Sequence, residues 1–393
     1  MKKVFGLLLA LSLLATVVLA DELKLIREYE GGKLYHAGKI NVVVLKGDFH
    51  TMGRQYGGLM QNEFKEFYTM VAKQAGINTS PQKYKELLGM LKISLENNPF
   101  YVRELVRGMG ETSGIGADKQ VIASQGVGVV LFSGGACSGM IAWDKYSKDG
   151  STVVGRNWDL GTKALEPYQK FMTVTVFNPT GSGQSVADIN YIGQVMWQSG
   201  INQSGVFYDL QNGAMCDPTQ AQNRLNSNSS LMSMLLDSTS MQNVDAFFDA
   251  VRAQGGLLIN TADAKQGACF EWGTADYRRR VDDSKGLVAS ANNFTDPTWR
   301  SISAIPDGKF GGFTKERTNN LLAMGKKYRG KIDANRMMNI FSTDIPQGGP
   351  TFPAKGDFKT YYSIVAVPRD LTLWLRVSGL QDWTEIDLKP LFK

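Results

Sequence analysis

Between Ser133 and Ala136 the spacing of apolar residues changes from three-and-four to two, and this change constrains the fold more than any other feature. Upstream, segments near 51–76, 81–96, 98–111 and 118–132 carry apolar residues at helical spacing, and Pro81 suits the first turn of the second of them. Before these helices, residues 24–46 alternate around Glu30-Gly31-Gly32, as a hairpin or meander would. Downstream, CSGMIAW, STVVGRNW, FMTVTVFN and SVADINYIG read as successive strands. Helices near 228–238 and 243–254 follow, then strands LLINT, GACFEWG, YRRRV and GLVASAN, and then helices near 313–328 and 333–341. YYSIVAVPRDLTLWLRVSG returns to strand. A single element type cannot satisfy both periods. The alternating blocks predict an α+β chain with two sheets packed between helical layers.

The first twenty residues, MKKVFGLLLALSLLATVVLA, have the form of a secretory signal: Lys2 and Lys3, an apolar stretch, then Val18-Leu19-Ala20 before a cut. The stretch is too short for a membrane span, and no cysteine stands at the cut to carry a lipid, so the expectation is export without a stable membrane anchor. The net charge of +6 includes both signal lysines. The rest is spread thinly, and Arg278-Arg279-Arg280 reads as a solvated strand edge, so nucleic acid is not implied as a partner.

Three cysteines and two histidines restrict the chemistry further. In an oxidising compartment Cys137, Cys216 and Cys269 leave at least one thiol unpaired, and Cys216 with Cys269 is an open possibility for a disulfide. His36 and His50 lie early in the chain, in a hairpin and at a helix start, where both read as structural. No metal-ligand spacing occurs, so neither a metal nor a cofactor is expected, and there is no Gly-x-Ser-x-Gly elbow.

Cys137 stands behind Ser-Gly-Gly-Ala and is followed by a hairpin that ends in Gly-Arg-Asn-Trp-Asp. A thiol becomes a good nucleophile when a base or a positive charge raises its thiolate fraction. With no suitable histidine, a simple base is an α-amino group on the nucleophile itself, whose pKa of about 8 suits neutral pH. That requires cleavage of the Ala136–Cys137 bond, and the small residues before it permit the strained geometry of an internal attack. Arg156 would then stabilise the thiolate and Asp159 would hold the new amine. Residues three apart on a strand face opposite ways, so the chain is expected to bend near Trp158 for both to serve one site. Cys269 is a rival: it follows Gly267-Ala268, with Arg280 and Asp283 repeating the spacing, but a cut there leaves only residues 269–393 and strands the better motifs upstream.

Cys137, Asp149, Gly150, Gly155, Arg156, Asn157 and Asp159 together resemble the motif of the N-terminal-nucleophile hydrolases. Within them the pattern is similar to the choloylglycine hydrolase and penicillin V acylase group, and more so to its self-cleaving isopenicillin-N acyltransferase-like relatives. The resemblance continues in residues 191–213, where Asn212 falls at an oxyanion-hole asparagine. In ANNF, Asn292 falls at a second such position and Asn293 stands where many relatives have histidine. TKERTNNLL aligns Arg317 with a late active-site arginine, with Lys315 two residues before it, and DFHTMGRQYGGLM is similar to a Gly-x-x-x-Gly helix of the family's pro-region.

The resemblance implies a four-layer αββα sandwich. Beyond the signal segment, residues 1–20, it implies a chain divided into residues 21–136 (strand and helical segment) and 137–393 (catalytic segment), with the two self-cleaved chains remaining associated. It also implies an amidohydrolase acting on a small acylated amide through an acyl-thioester on Cys137. Acyl transfer, lipid amide or ester hydrolysis on the same site, or a binding role on a degenerate scaffold stand as alternatives.

Overall fold

The computed structural model describes residues 23–131, 135–161, 163–195, 198–213, 224–299, 313–353, 356 and 358–393. The signal segment 1–20, Ser133, Gly134 and Cys216 lie outside them.

The chain begins with an antiparallel meander, β1 (Lys24–Tyr29), β2 (Gly32–Ala37) and β3 (Ile40–Gly47). Its first turn places Glu30 and Gly31 at φ 46° and 86°, the left-handed pair that matches a tight hairpin to the strand twist. Five helices follow: α1 (Phe49–Leu59), α2 (Gln61–Gln74), α3 (Pro81–Glu96), α4 (Phe100–Thr112) and α5 (Ala117–Leu131). The stretch read as one helix over 51–76 is two, divided at Met60, where the backbone leaves helical geometry (φ −120°, ψ 29°) just after Gly57-Gly58. α1 and α4 meet backbone to backbone. A Cβ on Gly53 would stand 2.3 Å from the Leu105 carbonyl oxygen, and one on Gly57 2.3 Å from Thr112 Oγ1, so the Gly-x-x-x-Gly spacing is a packing requirement.

The remaining strands divide between two sheets in a way that the periodicity did not reveal. β4 (Gly135–Ala142) and β5 (Val153–Leu160) form a hairpin in one sheet. The next strands, β6 (Met172–Pro179), β7 (Val186–Tyr191), β8 (Ser199–Asn202) and β9 (Phe207–Asn212), belong to the other. After α6 (Ser227–Asp237) and α7 (Met241–Ala250), β10 (Leu257–Ala262), β11 (Gly267–Trp272) and β12 (Tyr277–Arg280) complete that sheet. β13 (Leu287–Ser290) crosses back beside β4. Then come α8 (Thr314–Lys327), α9 (Ala334–Ile340) and β14 (Lys359–Val367), β15 (Thr372–Val377) and β16 (Gln381–Asp387), the last not foreseen from sequence.

The ten-stranded sheet runs β1-β2-β3-β6-β7-β8-β9-β10-β11-β12, and the six-stranded sheet runs β13-β4-β5-β14-β15-β16. β3 pairs in parallel with β6 over Asn41–Gly47, so the N-terminal segment supplies three strands as well as helices. α1, α6 and α7 lie on the ten-stranded sheet, α8 and α9 on the six-stranded one, and β4 lies against β9, β10 and β11 between them. Alternation along β4 and β5 separates two cores. Cys137, Ile141, Val154 and Trp158 join the large core between the sheets, while Met140, Ala142 and Val153 pack under α8 and α9. Among the described residues no helix is long and apolar enough to cross a membrane.

Candidate active site

Cys137 lies on β4, the second strand of its sheet, opposite Trp158 of β5, and is 3% exposed. Gly139 is opposite Arg156, so the Arg156 side chain rises on the same face as the thiol, toward the ten-stranded sheet. The guanidinium is fully buried. Its Nη2 donates to Cys137 Sγ at 3.7 Å and to the Leu210 carbonyl at 2.8 Å, and its Nη1 donates to Tyr362 Oη at 2.8 Å and to Ser199 Oγ. Five N–H groups in a fixed fork let one arginine reach partners on four strands at once.

The expected bend near Trp158 does not interrupt the pairing of β5 with β4; the irregularity at that point is with β14, whose register shifts between Thr360 and Tyr362 opposite Asp159 and Trp158. The β4–β5 register is continuous from Gly135–Leu160 to Ala142–Val153, and Asp159 faces the other way, opposite Ala136. The two charges nevertheless act on one residue, because Arg317 from α8 spans the gap. Arg317 Nη1 donates to the Cys137 carbonyl at 2.7 Å and to Asp159 Oδ2 at 3.1 Å, while Nη2 donates to Asn292 Oδ1 at 3.0 Å. Thr360 donates to Asp159 Oδ1 at 2.5 Å. Arg317 and Asp159 are both fully buried, whereas Lys315 points to solvent.

Asn292 follows β13 and connects the remaining groups. Its Oδ1 accepts from the Cys137 amide at 2.9 Å, and its Nδ2 donates to the Asn212 carbonyl at 2.8 Å. Asn212 ends β9 with an exposed side chain, and its Nδ2 would be 3.6 Å from a Cβ built on Gly135, beside the chain that leads into Cys137. Six sequence-predicted residues, Cys137, Arg156, Asp159, Asn212, Asn292 and Arg317, are thus brought together. Asp149 is not among them: it closes its own turn by accepting from Ser151 and pairs with Arg369. Asn293, next in the chain after Asn292, is also buried.

Burial pushes the Cys137 thiol up to about 11, and Arg156 only partly offsets it. On the order of one thiol in 10⁴ would then be ionised at pH 7. Burial likewise pushes Asp159 up to about 6 against the pull of Arg317 and Thr360.

Several polar residues at the site carried no motif. Asp209 and Gln211 of β9, Asn260 of β10 and Ser290 of β13 form a buried network beneath Gly139. A Cβ on Gly139 would stand 2.2 Å from Asn260 Nδ2, so the glycine gives this network its room. Burial pushes Asp209 up to about 6, with Arg156 the main counterweight. The available signal was polar residues at alternate positions, Asp209 and Gln211, within an otherwise apolar strand.

Cys269 is a free, fully buried thiol in the middle of β11, paired on both sides by β10 and β12. Burial pushes it up to about 12, and its neighbour Arg280 is engaged by Glu271 and Asp282. His50 bonds Glu111 on the surface. Among the described residues no three His, Cys, Asp or Glu side chains converge as a metal site requires.

No protein-family model and no curated protein matches the sequence. Among solved structures the chain is similar to a Caenorhabditis elegans ortholog of N-acylethanolamine-hydrolyzing acid amidase, at 17% identity over 59% of this chain and 93% of that one, with a TM-score of 0.44. It is also similar to a variant of conjugated bile acid hydrolase from Clostridium perfringens (11% identity, 64% of this chain and 93% of that one, TM-score 0.43). Penicillin V acylase from Agrobacterium tumefaciens gives 12% identity over 64% and 86%, with a TM-score of 0.38. At this level of likeness none of them assigns an activity to the chain.

Proposed function

We propose that the chain is an exported, self-cleaving cysteine amidohydrolase that cuts a non-peptide C–N amide bond. The observation that carries this reading is that three atoms of one residue are each held by a separate group. Cys137 Sγ faces Arg156, its carbonyl oxygen accepts from Arg317, and its amide nitrogen donates to Asn292. Cys269 has no such set. A buried cysteine kept only for packing requires none of these charges, and burying an arginine costs several kcal/mol unless it is paired.

In self-cleavage, Sγ attacks the Ala136 carbonyl carbon, the Ala136–Cys137 C–N bond breaks with a proton passing to nitrogen, and a thioester joins Ala136 to Cys137. Water then hydrolyses the thioester, leaving an Ala136 carboxylate and a Cys137 with a free thiol and a free α-amine. That amine remains within reach of Asn292 Oδ1, and Asp159 is the nearby carboxylate that would orient it through the Arg317 bridge. In turnover the amine takes the thiol proton and the thiolate attacks the substrate amide carbonyl. Side-chain N–H donors of Asn212 and Asn292 would hold the oxyanion, each worth a few kcal/mol. The leaving amine takes the proton, and water releases the acyl group.

Residues 21–136 and 137–393 would remain joined after the cut, since β3 pairs with β6 across it and α1 lies on the same sheet. The substrate class that fits is an N-acyl amine, N-acyl amino acid, bile-salt or penicillin-like conjugate. Hydrolysis is favoured over acyl transfer, because an exported enzyme does not meet cytosolic CoA thioesters. The test is to incubate the protein with a panel of such conjugates, quench in acid and weigh the fragment that begins at Cys137. An added acyl mass on that fragment, lost on incubation in water, supports the reading; acyl release without any Cys137 adduct, retained in a Cys137→Ala variant, rejects it.

A further inference from the structure

We infer that Glu271 and Arg280 are positioning residues that clamp Asn292 from both sides along the chain. This rests on the reading that Asn292 belongs to the reaction centre.

Glu271, on β11, is fully buried, and besides Arg280 it is engaged by the segment that follows Asn292. Its Oε1 accepts from the Thr295 amide at 2.7 Å and from Thr295 Oγ1 at 3.0 Å, and its Oε2 accepts from the Asp296 amide at 3.1 Å. Charge-assisted bonds to backbone N–H groups are among the stronger fixed contacts a loop can have. They hold the chain three and four residues after Asn292.

Arg280 acts on the other side. Its Nε donates to Glu271 Oε1 at 3.1 Å, its Nη1 to Asp282 Oδ1 at 2.5 Å and its Nη2 to the Ala289 carbonyl at 3.0 Å. Asp282 Oδ2 in turn accepts from the Ala289 amide at 2.7 Å. β13 is the edge strand of its sheet: among the described strands it pairs with β4, and its first residue, Leu287, bridges back to Asp283. Arg280 and Asp282 therefore occupy the backbone groups that a further strand would have taken. Ala289 lies three residues before Asn292, so one ionic cluster at the end of the ten-stranded sheet fixes both flanks of the short segment that presents Asn292 to Cys137. A surface-type arginine run read from sequence thus contains one member, Arg280, with only 10% of its side chain exposed and a different task.

The experiment compares the full chain with its Glu271→Gln, Arg280→Lys and Leu45→Ala variants; the last opens a cavity in β3, remote in the sheet order. Hydrogen–deuterium exchange of residues 287–299 and the rate of splitting at Ala136–Cys137 are both followed, alongside the melting temperature. Glu271→Gln should speed exchange in 287–299 but not in β10, and should slow splitting by about tenfold or more, since small misplacements of reacting groups cost up to about 100-fold. Arg280→Lys, which retains the charge, should recover part of that rate. Leu45→Ala should lower the melting temperature while splitting at the wild-type rate. The clamp is overturned if Glu271→Gln leaves exchange in 287–299 unchanged, or slows splitting no more than Leu45→Ala at an equal loss of melting temperature. If the unmodified chain does not split at all, the proposed function is what fails, and the exchange measurement still decides the clamp.

Discussion

Arg317 and Cys137 are 180 residues apart in the chain, yet Arg317 Nη1 lies 2.7 Å from the Cys137 carbonyl oxygen while the same guanidinium holds Asp159 and Asn292. One side chain thus connects the backbone of the candidate nucleophile to both residues proposed to receive its amine. Removing one partner of a buried ion pair strands the other, at about 3–5 kcal/mol. Arg317→Met should therefore lower stability by that amount, measured by denaturant unfolding of a non-splitting Cys137→Ala background. Arg317→Lys should fold but split on the order of 100-fold more slowly, because an ammonium cannot serve three acceptors in a plane. Wild-type splitting by Arg317→Lys would remove the bridge from the mechanism.

Gly139 has no spare volume toward the ten-stranded sheet. Gly139→Ala should cost about 1–3 kcal/mol, as overpacked cores do, and should disturb the Asp209–Asn260 pairing. Urea unfolding of this variant checks the figure; a neutral result would mean that the network yields easily.

Burial raises both Asp159 and Asp209 to about 6 from an ordinary carboxylate value near 4. For such groups the folded state binds the proton more tightly than the unfolded chain does. Their contribution is complete below pH of about 4 and is lost as pH rises through 6. Asp209→Asn in the Cys137→Ala background should therefore flatten the fall in stability between pH 4 and 7, by on the order of 2–3 kcal/mol. Melting temperatures across that range test it, and an unchanged slope would contradict the assignment.

Cys269→Ala should fold with a loss of about 1 kcal/mol and split as the wild type does, since it removes a small core group while its cross-strand neighbours Asn260 and Arg280 keep their own bonds to Asp209 and Glu271. Gel electrophoresis after expression suffices. Failure to split would return the rival cysteine to consideration.

Local pattern made the hairpin of Cys137 and Arg156 readable, because alternation and a short turn determine which side chains share a face. The same rule, applied to Asp159, predicts a bend as the way to bring it to Cys137, whereas its pairing with β4 runs on unbroken and Arg317 makes the link. A reader of one strand cannot see that an arginine from a later helix will reach around its edge. Sheet membership was hidden for a similar reason: FMTVTVFN holds the next strand after β5, yet that strand pairs in parallel with β3, more than a hundred residues earlier. Asp209, Asn260 and Thr360 went unread because each is polar for the sake of a partner on another strand; only Asp209, alternating with Gln211 in an apolar strand, has a local signal.

The most direct measurement is the intact mass and N-terminal sequence of the protein after export. Two polypeptides are expected, one ending at Ala136 and one beginning at Cys137, with Cys137→Ala yielding a single chain. A wild-type protein that remains one uncut chain under the conditions in which it is active, or a Cys137→Ala variant that splits at the same bond, would contradict the central claim.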